Sequence, residues 1–261
     1  MRDANPGWTV IRYTNFEEAD PVQNFDELQI QAKTDWLRIC LIERYGGVWL
    51  DSSIICNRGI EETIDVSEDR VVGFECPIGT GILENWAFGA RPNHPLIQDW
   101  RDEFKYAIEM GFDAYKQASS TVLNTNDIYD HMPYLTMHGA FVIVRERHPG
   151  SVAMIHSMDD HHGPFRFTRD EWRRGSRPLA VYKLFLLDFE YPPLLKLTGE
   201  TRRYAEDALT FLPTLTHSFI YRTLRIRGSC DTVYAVVFTV TITAIILSTL
   251  RRRHANARRL Q

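Results

Sequence analysis

The stretch of sequence that decides the fold is residues 32–53, AKTDWLRICLIERYGGVWLDSS. Leu37, Leu41 and Tyr45 recur every four residues, so the first part predicts a helix with these side chains on one face. Thr34 is expected to cap the start of this helix, because a threonine oxygen can accept from a free backbone N–H.

The glycine pair at positions 46 and 47 predicts the end of the helix, because glycine adopts left-handed backbone without a Cβ clash. Residues 48–55 are then expected to be extended. Side chains alternate along a strand, so Asp51 and Ser53 are expected to point the same way.

The predicted helix also carries an acid–base pair. Asp35 and Arg38 lie three positions apart and are expected to be neighbours on the helix surface. With Asp51 and Ser53 they form four polar groups on two adjacent elements. A carboxylate at a strand end suits Mg²⁺ or Mn²⁺, which prefer oxygen donors. Taken alone, Asp51 fits an ordinary turn aspartate equally well.

Composition narrows the class of protein. The chain has 261 residues, of which 44% are hydrophobic and 25% charged, as in globular proteins. The net charge of −4 gives no electrostatic case for nucleic acid as a partner. The four cysteines form no Cys-x-x-Cys pair, which disfavours zinc ribbons and disulfide frameworks and favours small buried thiols.

Predicted strands alternate with predicted helices over residues 1–190, which indicates an α/β domain. Residues 191–232 are expected to be a connector, residues 233–250 a transmembrane helix and residues 251–261 a basic tail. The first residues lack the apolar core of a secretory signal.

Residues 233–250 contain no charged side chain and precede three arginines. This is close to the minimum length that spans about 30 Å of hydrocarbon. A basic cluster beside an apolar segment is typical of a membrane anchor, so we expect a single-pass C-terminal membrane anchor. Its β-branched content also fits a buried strand or helix. Basic residues on both sides leave the orientation open.

The spacing from Thr34 to Ser53 resembles the sugar-nucleotide motif of DXD-type glycosyltransferases. It is most similar to the capsular polysaccharide synthesis branch, near glycosyltransferase family 32. Residues 85–96 resemble the strand and helix start that follow this motif in the family. Residues 132–135 and 181–184 match more weakly. The resemblance covers roughly residues 5–190.

The resemblance implies a GT-A fold, which is a Rossmann-like nucleotide-sugar-binding domain. It implies transfer of a sugar from a nucleotide sugar with retention at the anomeric carbon. It also implies catalytic roles for Asp51 and Arg38, donor binding by Asp35, Gly47 and Ser53, and Mn²⁺ or Mg²⁺ held by Asp51 and Ser53. Ser53 stands where relatives have a second aspartate, and a hydroxyl is a weaker metal ligand.

Four further residues are candidates for substrate binding, and each has a plainer structural reading. Asn85 and Trp86 could face the acceptor, or lie on a half-buried strand. His138 could contact acceptor or phosphate, or be a satisfied core histidine. Lys183 could offset leaving-group charge, or be a surface lysine.

The sequence therefore predicts a hexosyltransferase that uses a nucleotide-sugar donor and a glycan or glycolipid acceptor. The rival hypothesis is a non-catalytic, membrane-tethered protein of the same fold that binds a sugar or nucleotide sugar. Ser53 and Tyr182 motivate the rival, because Ser53 weakens the predicted metal site and Tyr182 stands where the family branch often has a histidine.

Overall fold

The computed structural model describes residues 5–76, 81–123, 127–155, 163–165 and 192–197. All of them belong to the first of the two units into which the chain divides, Met1–Ala208. The predicted membrane span at 233–250, the basic tail at 251–261, Tyr182 and Lys183 lie outside the described residues. Among the helices that are described, none is both long enough and apolar enough to cross a membrane.

In the described part of the chain, one helix is followed by four strands, then by five helices and then by two strands. The helices are α1 (Ile30–Tyr45), α2 (Pro95–Met110), α3 (Phe112–Ala118), α4 (Ser120–Leu123), α5 (Ile128–His131) and α6 (Thr136–Arg145). The strands are β1 (Gly47–Leu50), β2 (Ile54–Cys56), β3 (Val71–Glu75), β4 (Leu83–Ala90), β5 (Val152–Ile155) and β6 (Leu194–Lys196). Short 3₁₀ turns cover Phe25–Glu27 and Ile60–Glu62.

The main sheet has four strands in the order β1-β4-β3-β5. Strands β3 and β5 are parallel, whereas β4 runs antiparallel to both β1 and β3. A second sheet pairs β2 with β6 in antiparallel fashion. The alternation of strands and helices predicted from the sequence is not found in the described residues, but the mixed α/β architecture is compatible with a Rossmann-like fold.

Helix α1 begins earlier than expected. It starts at Ile30 with Gln29 at the N-cap, so the predicted cap by Thr34 is wrong. The hydroxyl of Thr34 instead donates to the Ile30 carbonyl at 2.8 Å, one turn back. A threonine inside a helix commonly satisfies its hydroxyl in this way.

The predicted glycine stop is confirmed. The N–H of Gly46 donates to the Ile42 carbonyl at 3.0 Å, and its φ angle is +64°. A Cβ at this position would lie 2.6 Å from atoms of Pro92. Both the backbone conformation and the close approach of Pro92 therefore require glycine here.

The continuous strand predicted over residues 48–55 is wrong. Strand β1 ends at Leu50, and the N–H of Ile54 donates to the Asp51 carbonyl at 3.0 Å, which closes a turn. Strand β2 then starts in the other sheet. Aspartate and serine favour turns because their side chains bond nearby backbone. Asp51 and Ser53 therefore belong to a turn and do not alternate along one strand.

The strand and helix start expected at residues 85–96 are confirmed. Strand β4 runs to Ala90, and α2 begins at Pro95, which occupies the first turn. His94 caps this helix, because its Nδ1 accepts the N–H of Leu96 at 3.2 Å. The indole N–H of Trp100 in α2 donates to the Met137 carbonyl at 2.8 Å, which ties α2 to α6.

One face of the main sheet packs against α1, α2 and α6. The aromatic centre of this core brings Trp100 of α2 to 5.2 Å from the ring of Phe88 and 4.9 Å from that of Phe141. A second core cluster includes Ile54, Phe74, Trp86 and Leu194. Strand β6, from within the predicted connector, therefore contributes to a buried core.

Candidate functional site

The guanidinium of Arg38 contacts two carboxylates. Its Nη2 lies 3.1 Å from Oδ1 of Asp35 and 3.3 Å from Oδ1 of Asp51. Arg38 is 5% exposed. The helix places Asp35 one turn from Arg38, as predicted, and the turn after β1 brings Asp51 to the same group. Three of the four polar residues of the sequence motif, Asp35, Arg38 and Asp51, therefore meet at one point.

Asn85 of β4 completes the contacts on the helix side. Its Nδ2 donates to Oδ1 of Asp35 at 3.0 Å, and its backbone carbonyl accepts from Nη1 of Arg38. The side chain and main chain of one residue thus hold both members of the pair on α1. The structure places the predicted residue Asn85 in this cluster.

Asp51 is held by backbone and side-chain bonds. Its N–H donates to the Trp86 carbonyl at 2.9 Å. Its Oδ1 accepts the Trp49 indole N–H at 3.0 Å in addition to the contact with Arg38. Its Oδ2 accepts from Nζ of Lys196 at 2.9 Å. Both carboxylate oxygens of Asp51 are therefore engaged.

Lys196 is the site residue that the sequence analysis missed. Pairing of β6 with β2 sets Lys196 opposite Ile54, three residues after Asp51. Its Nζ also lies 5.3 Å from the centre of the Trp86 ring. Lys196 lies in a short apolar run, 145 residues from Asp51. Nothing in the sequence of this run indicates that Lys196 contacts Asp51.

Burial and ion pairing shift the pKa values of these groups in different directions. Burial raises the pKa of Asp35, and the attraction of Arg38 opposes but does not cancel this effect. Burial also acts to raise the pKa of Asp51, but Arg38 and Lys196 outweigh it and the net shift is downward. Burial lowers the pKa of Lys196 despite its contact with Asp51.

The two remaining residues of the predicted motif are placed by the backbone. Gly47 begins β1 opposite Ala90, with a φ angle of +88°. Ser53 is buried, and its carbonyl accepts the N–H of Leu197 at 2.9 Å. Ser53 thus helps to bring β6, and with it Lys196, to Asp51.

Trp86 is not placed to stack on a sugar. The indole is 5% exposed, and its ring stacks on Phe74 with centroids 4.9 Å apart. Phe165 packs edge-on against it at 5.4 Å. Its contribution to the site comes from its backbone carbonyl, which holds Asp51, and from the ring beneath Lys196.

His138 is buried beside the site. Its Nε2 lies 3.2 Å from Oε2 of Glu84, which is also buried. His138 interacts electrostatically with Asp35, and Glu84 with Lys196. His138 is therefore a buried core histidine, although only its Nε2 has a hydrogen-bond partner among the described residues, and the pair lies next to the residues around Arg38.

Comparison with known proteins finds a family match over the segment that contains the motif. Residues 9–109, which contain the whole motif, match the model of the family described as capsular polysaccharide synthesis protein. The family resemblance seen in the sequence is thereby confirmed over this segment.

A curated relative supports the same assignment. The O-glycosyltransferase PaGT of Phomopsis amygdali is 33% identical over 78 residues, which are 27% of this chain. The matched segment covers 19% of that relative's length. No solved structure matches the chain. The family and the relative together support a glycosyltransferase-like function.

Proposed function

We propose that this chain transfers a sugar from a nucleoside diphosphate sugar to a hydroxyl of a polysaccharide or glycolipid, on a GT-A fold and with retention at the anomeric carbon. The observation that carries this proposal is the contact of one buried guanidinium, that of Arg38, with both Asp35 and Asp51. The family match over residues 9–109 and the glycosyltransferase relative support it.

The two carboxylates suit the hydroxyl groups of a donor. A carboxylate accepts hydrogen bonds from ribose or hexose hydroxyls, and Arg38 holds both acceptors in fixed positions. Holding a donor in a reactive geometry removes much of the entropic barrier to transfer. In this proposal Asp35 and Asp51 bind the donor, while Arg38 and Asn85 position them.

Transfer also requires positive charge beside the departing diphosphate. The sequence predicted Mn²⁺ or Mg²⁺ on Asp51 and Ser53. Asp51 and Ser53 fit this ion poorly, because Arg38 and Lys196 already balance the charge of Asp51 and Ser53 offers only a buried hydroxyl. We propose that Lys196 supplies this charge, since its ammonium group lies 2.9 Å from Asp51.

Two routes would retain the configuration at the anomeric carbon, namely front-face attack by the acceptor and a covalent intermediate. The carboxylates of Asp35, Asp51 and Glu84 are each engaged by a neighbouring donor or cation. The acceptor would approach the donor from the side of the site that Asp35, Asp51 and Glu84 do not occupy. Identification of the product anomer by NMR tests retention directly.

A second candidate function is non-catalytic binding of a nucleotide sugar. The observation that favours it is that Arg38, Trp49 and Lys196 engage both carboxylate oxygens of Asp51. These contacts stabilise a binding site but leave Asp51 without an exposed carboxylate for catalysis. In this alternative the same residues recognise the donor, but no transfer follows.

Calorimetry with UDP-sugars and GDP-sugars, with and without Mn²⁺, tests the donor site. We expect binding of one of these donor classes, little change on addition of Mn²⁺, and a large loss of affinity in Arg38→Lys. The ammonium group of lysine lacks the planar fork of N–H groups with which arginine contacts both carboxylates. If none of these nucleotide sugars binds, both the transferase function and the binding function are contradicted.

The predicted membrane anchor at residues 233–250 is part of the proposal. Its apolar composition and the adjacent arginines support it. Fractionation of the full chain and of a chain ending at residue 232 tests it. We expect the full chain to resist extraction from membranes with alkaline carbonate and the shortened chain to be released.

A further inference from the structure

We propose that Cys76, Glu84 and His138 form a binding site for a transition-metal ion of the zinc type, distinct from the cation site predicted at Asp51 and Ser53. The three side chains each offer one ligand atom, and these atoms all lie within 4.8 Å of one another. All three residues are buried, with exposed fractions of 5%, 8% and 3%.

Three elements of the fold converge to build this cluster. Cys76 directly follows β3, and its N–H donates to the Ile82 carbonyl at 2.6 Å. Glu84 lies two residues after Ile82, in β4, which makes it a diagonal neighbour of Cys76 across the strand pair. Helix α6 then places His138 over Glu84.

The spacing of the imidazole and the carboxylate suits a shared ion. Nε2 of His138 lies 3.2 Å from Oε2 of Glu84. Two ligands at about 2.0–2.1 Å from a tetrahedral zinc ion lie roughly 3.3 Å from each other. The pair therefore has the separation of two ligands of one metal, and the thiol of Cys76 is close enough to join them by side-chain adjustment.

Hydrogen bonding among the described residues does not fully satisfy the imidazole. Nδ1 of His138 is buried and has no hydrogen-bond partner within the described ranges. A buried polar atom without a partner is costly. The two ring nitrogens point in different directions, so a metal bound at Nε2 with Glu84 would not satisfy Nδ1, and the proposal rests on the closeness of the three ligand atoms.

The chemistry of the three ligands selects the ion. Thiolate and imidazole ligands favour Zn²⁺ and similar ions over Mg²⁺ or Mn²⁺. Three protein ligands leave the fourth tetrahedral position for water or a substrate oxygen. Glu84 interacts with the charge of Lys196, and His138 with that of Asp35, so the ion would border the proposed donor site.

The experiment uses the metal alone, so its outcome does not depend on glycosyl transfer. Full-length chain is freed of metal with a chelator and titrated with Zn²⁺ and, separately, with Co²⁺. We expect one equivalent of either ion to bind, and the Co²⁺ form to show thiolate-to-cobalt charge-transfer absorption in the near ultraviolet. Mg²⁺ should not compete.

Three variants test the ligands, namely Cys76→Ser, Glu84→Gln and His138→Gln. The matched controls change other buried cysteines, in Cys40→Ser and Cys56→Ser. Loss of an outer-shell partner of a metal ligand costs about 10–100-fold in affinity, so we expect loss of a ligand itself to weaken Zn²⁺ binding by at least that much. The charge-transfer absorption should vanish only in Cys76→Ser.

Circular dichroism of each metal-free variant checks that it is folded. If another variant fails this check, Glu84→Gln still tests the site, because glutamine has the shape of glutamate. Failure of the folded wild-type chain to bind Zn²⁺, or survival of the charge-transfer absorption in Cys76→Ser, would overturn the proposal.

Discussion

Lys196 donates to Asp51 across 2.9 Å, although 145 residues separate them in the chain. The contact depends on β6, which carries Lys196 to the turn that holds Asp51 by pairing with β2. Arg38 approaches the other oxygen of the same carboxylate. A carboxylate between two cations, beside a second carboxylate, is the feature from which the proposed chemistry follows.

If Lys196 stabilises the leaving diphosphate, Lys196→Met should lower kcat by on the order of 10²–10³, as loss of one preorganised donor does elsewhere. Lys196→Arg keeps the charge and should retain more activity. Lys105→Met is the matched control, because Lys105 is a partly exposed lysine of α2 beside Glu109. Steady-state kinetics of the three variants check this prediction, and unchanged turnover in Lys196→Met would refute the assigned role.

Arg38→Ala should lower the free energy of unfolding by about 3–5 kcal/mol, because it leaves the buried carboxylate of Asp35 and that of Asp51 without this cation. Arg58→Ala removes an exposed arginine that lies 3.8 Å from Glu62, and it should cost only about 0–1 kcal/mol. Urea unfolding of both variants gives the comparison. Equal costs would mean that the Arg38 cluster is not buried as described.

The opposite pKa shifts of the two aspartates predict opposite effects of pH on stability. The pKa of Asp51 is below its ordinary value of 3.8, so its contribution to stability is present above pH 3.8 and is lost as the pH falls through the folded value. The pKa of Asp35 is raised, so stability from its neutral form is lost as the pH rises from 3.8 through the folded value.

Unfolding free energies measured from pH 2.5 to 7 in Asp51→Asn and Asp35→Asn check these signs. Relative to wild type, Asp51→Asn should lose less stability on acidification below pH 3.8. Asp35→Asn should lose less stability as the pH rises above 3.8. The same change of slope in both variants would show that one of the two shifts has the wrong sign.

Gly46→Ala tests the junction between α1 and β1. The φ angle of +64° and ψ angle of −159° at Gly46 cost a non-glycine residue about 1–3 kcal/mol, and the new Cβ would also meet Pro92 at 2.6 Å. Gly150→Ala separates the two effects, because Gly150 has a φ angle of +79° but a Cβ there would have no atom within 4 Å. Thermal unfolding should show the larger loss in Gly46→Ala, and an equal loss would remove the steric argument.

The sequence predicted the parts of the site that depend on local periodicity. Helical spacing placed Asp35 beside Arg38, and the glycine at position 46 marked the end of α1. It gave a turn at Asp51 only as an alternative to the strand over residues 48–55, because three polar residues between apolar runs also fit an exposed strand end. It also did not predict the ion pair of Asp51 with Lys196, because strand pairing across most of the chain leaves no local pattern.

The central claim is that this site turns over a nucleotide-sugar donor through Asp51. The most direct measurement is a screen for nucleotide release from UDP-sugars and GDP-sugars by the full chain, since a transferase can hydrolyse its donor slowly without acceptor. Asp51→Asn is compared with Asp113→Asn, a control at an exposed aspartate of α3. We predict release from one donor class by wild type and Asp113→Asn, and its loss in folded Asp51→Asn. Near-normal release by Asp51→Asn, or no release from any donor by the wild-type chain, would contradict the claim.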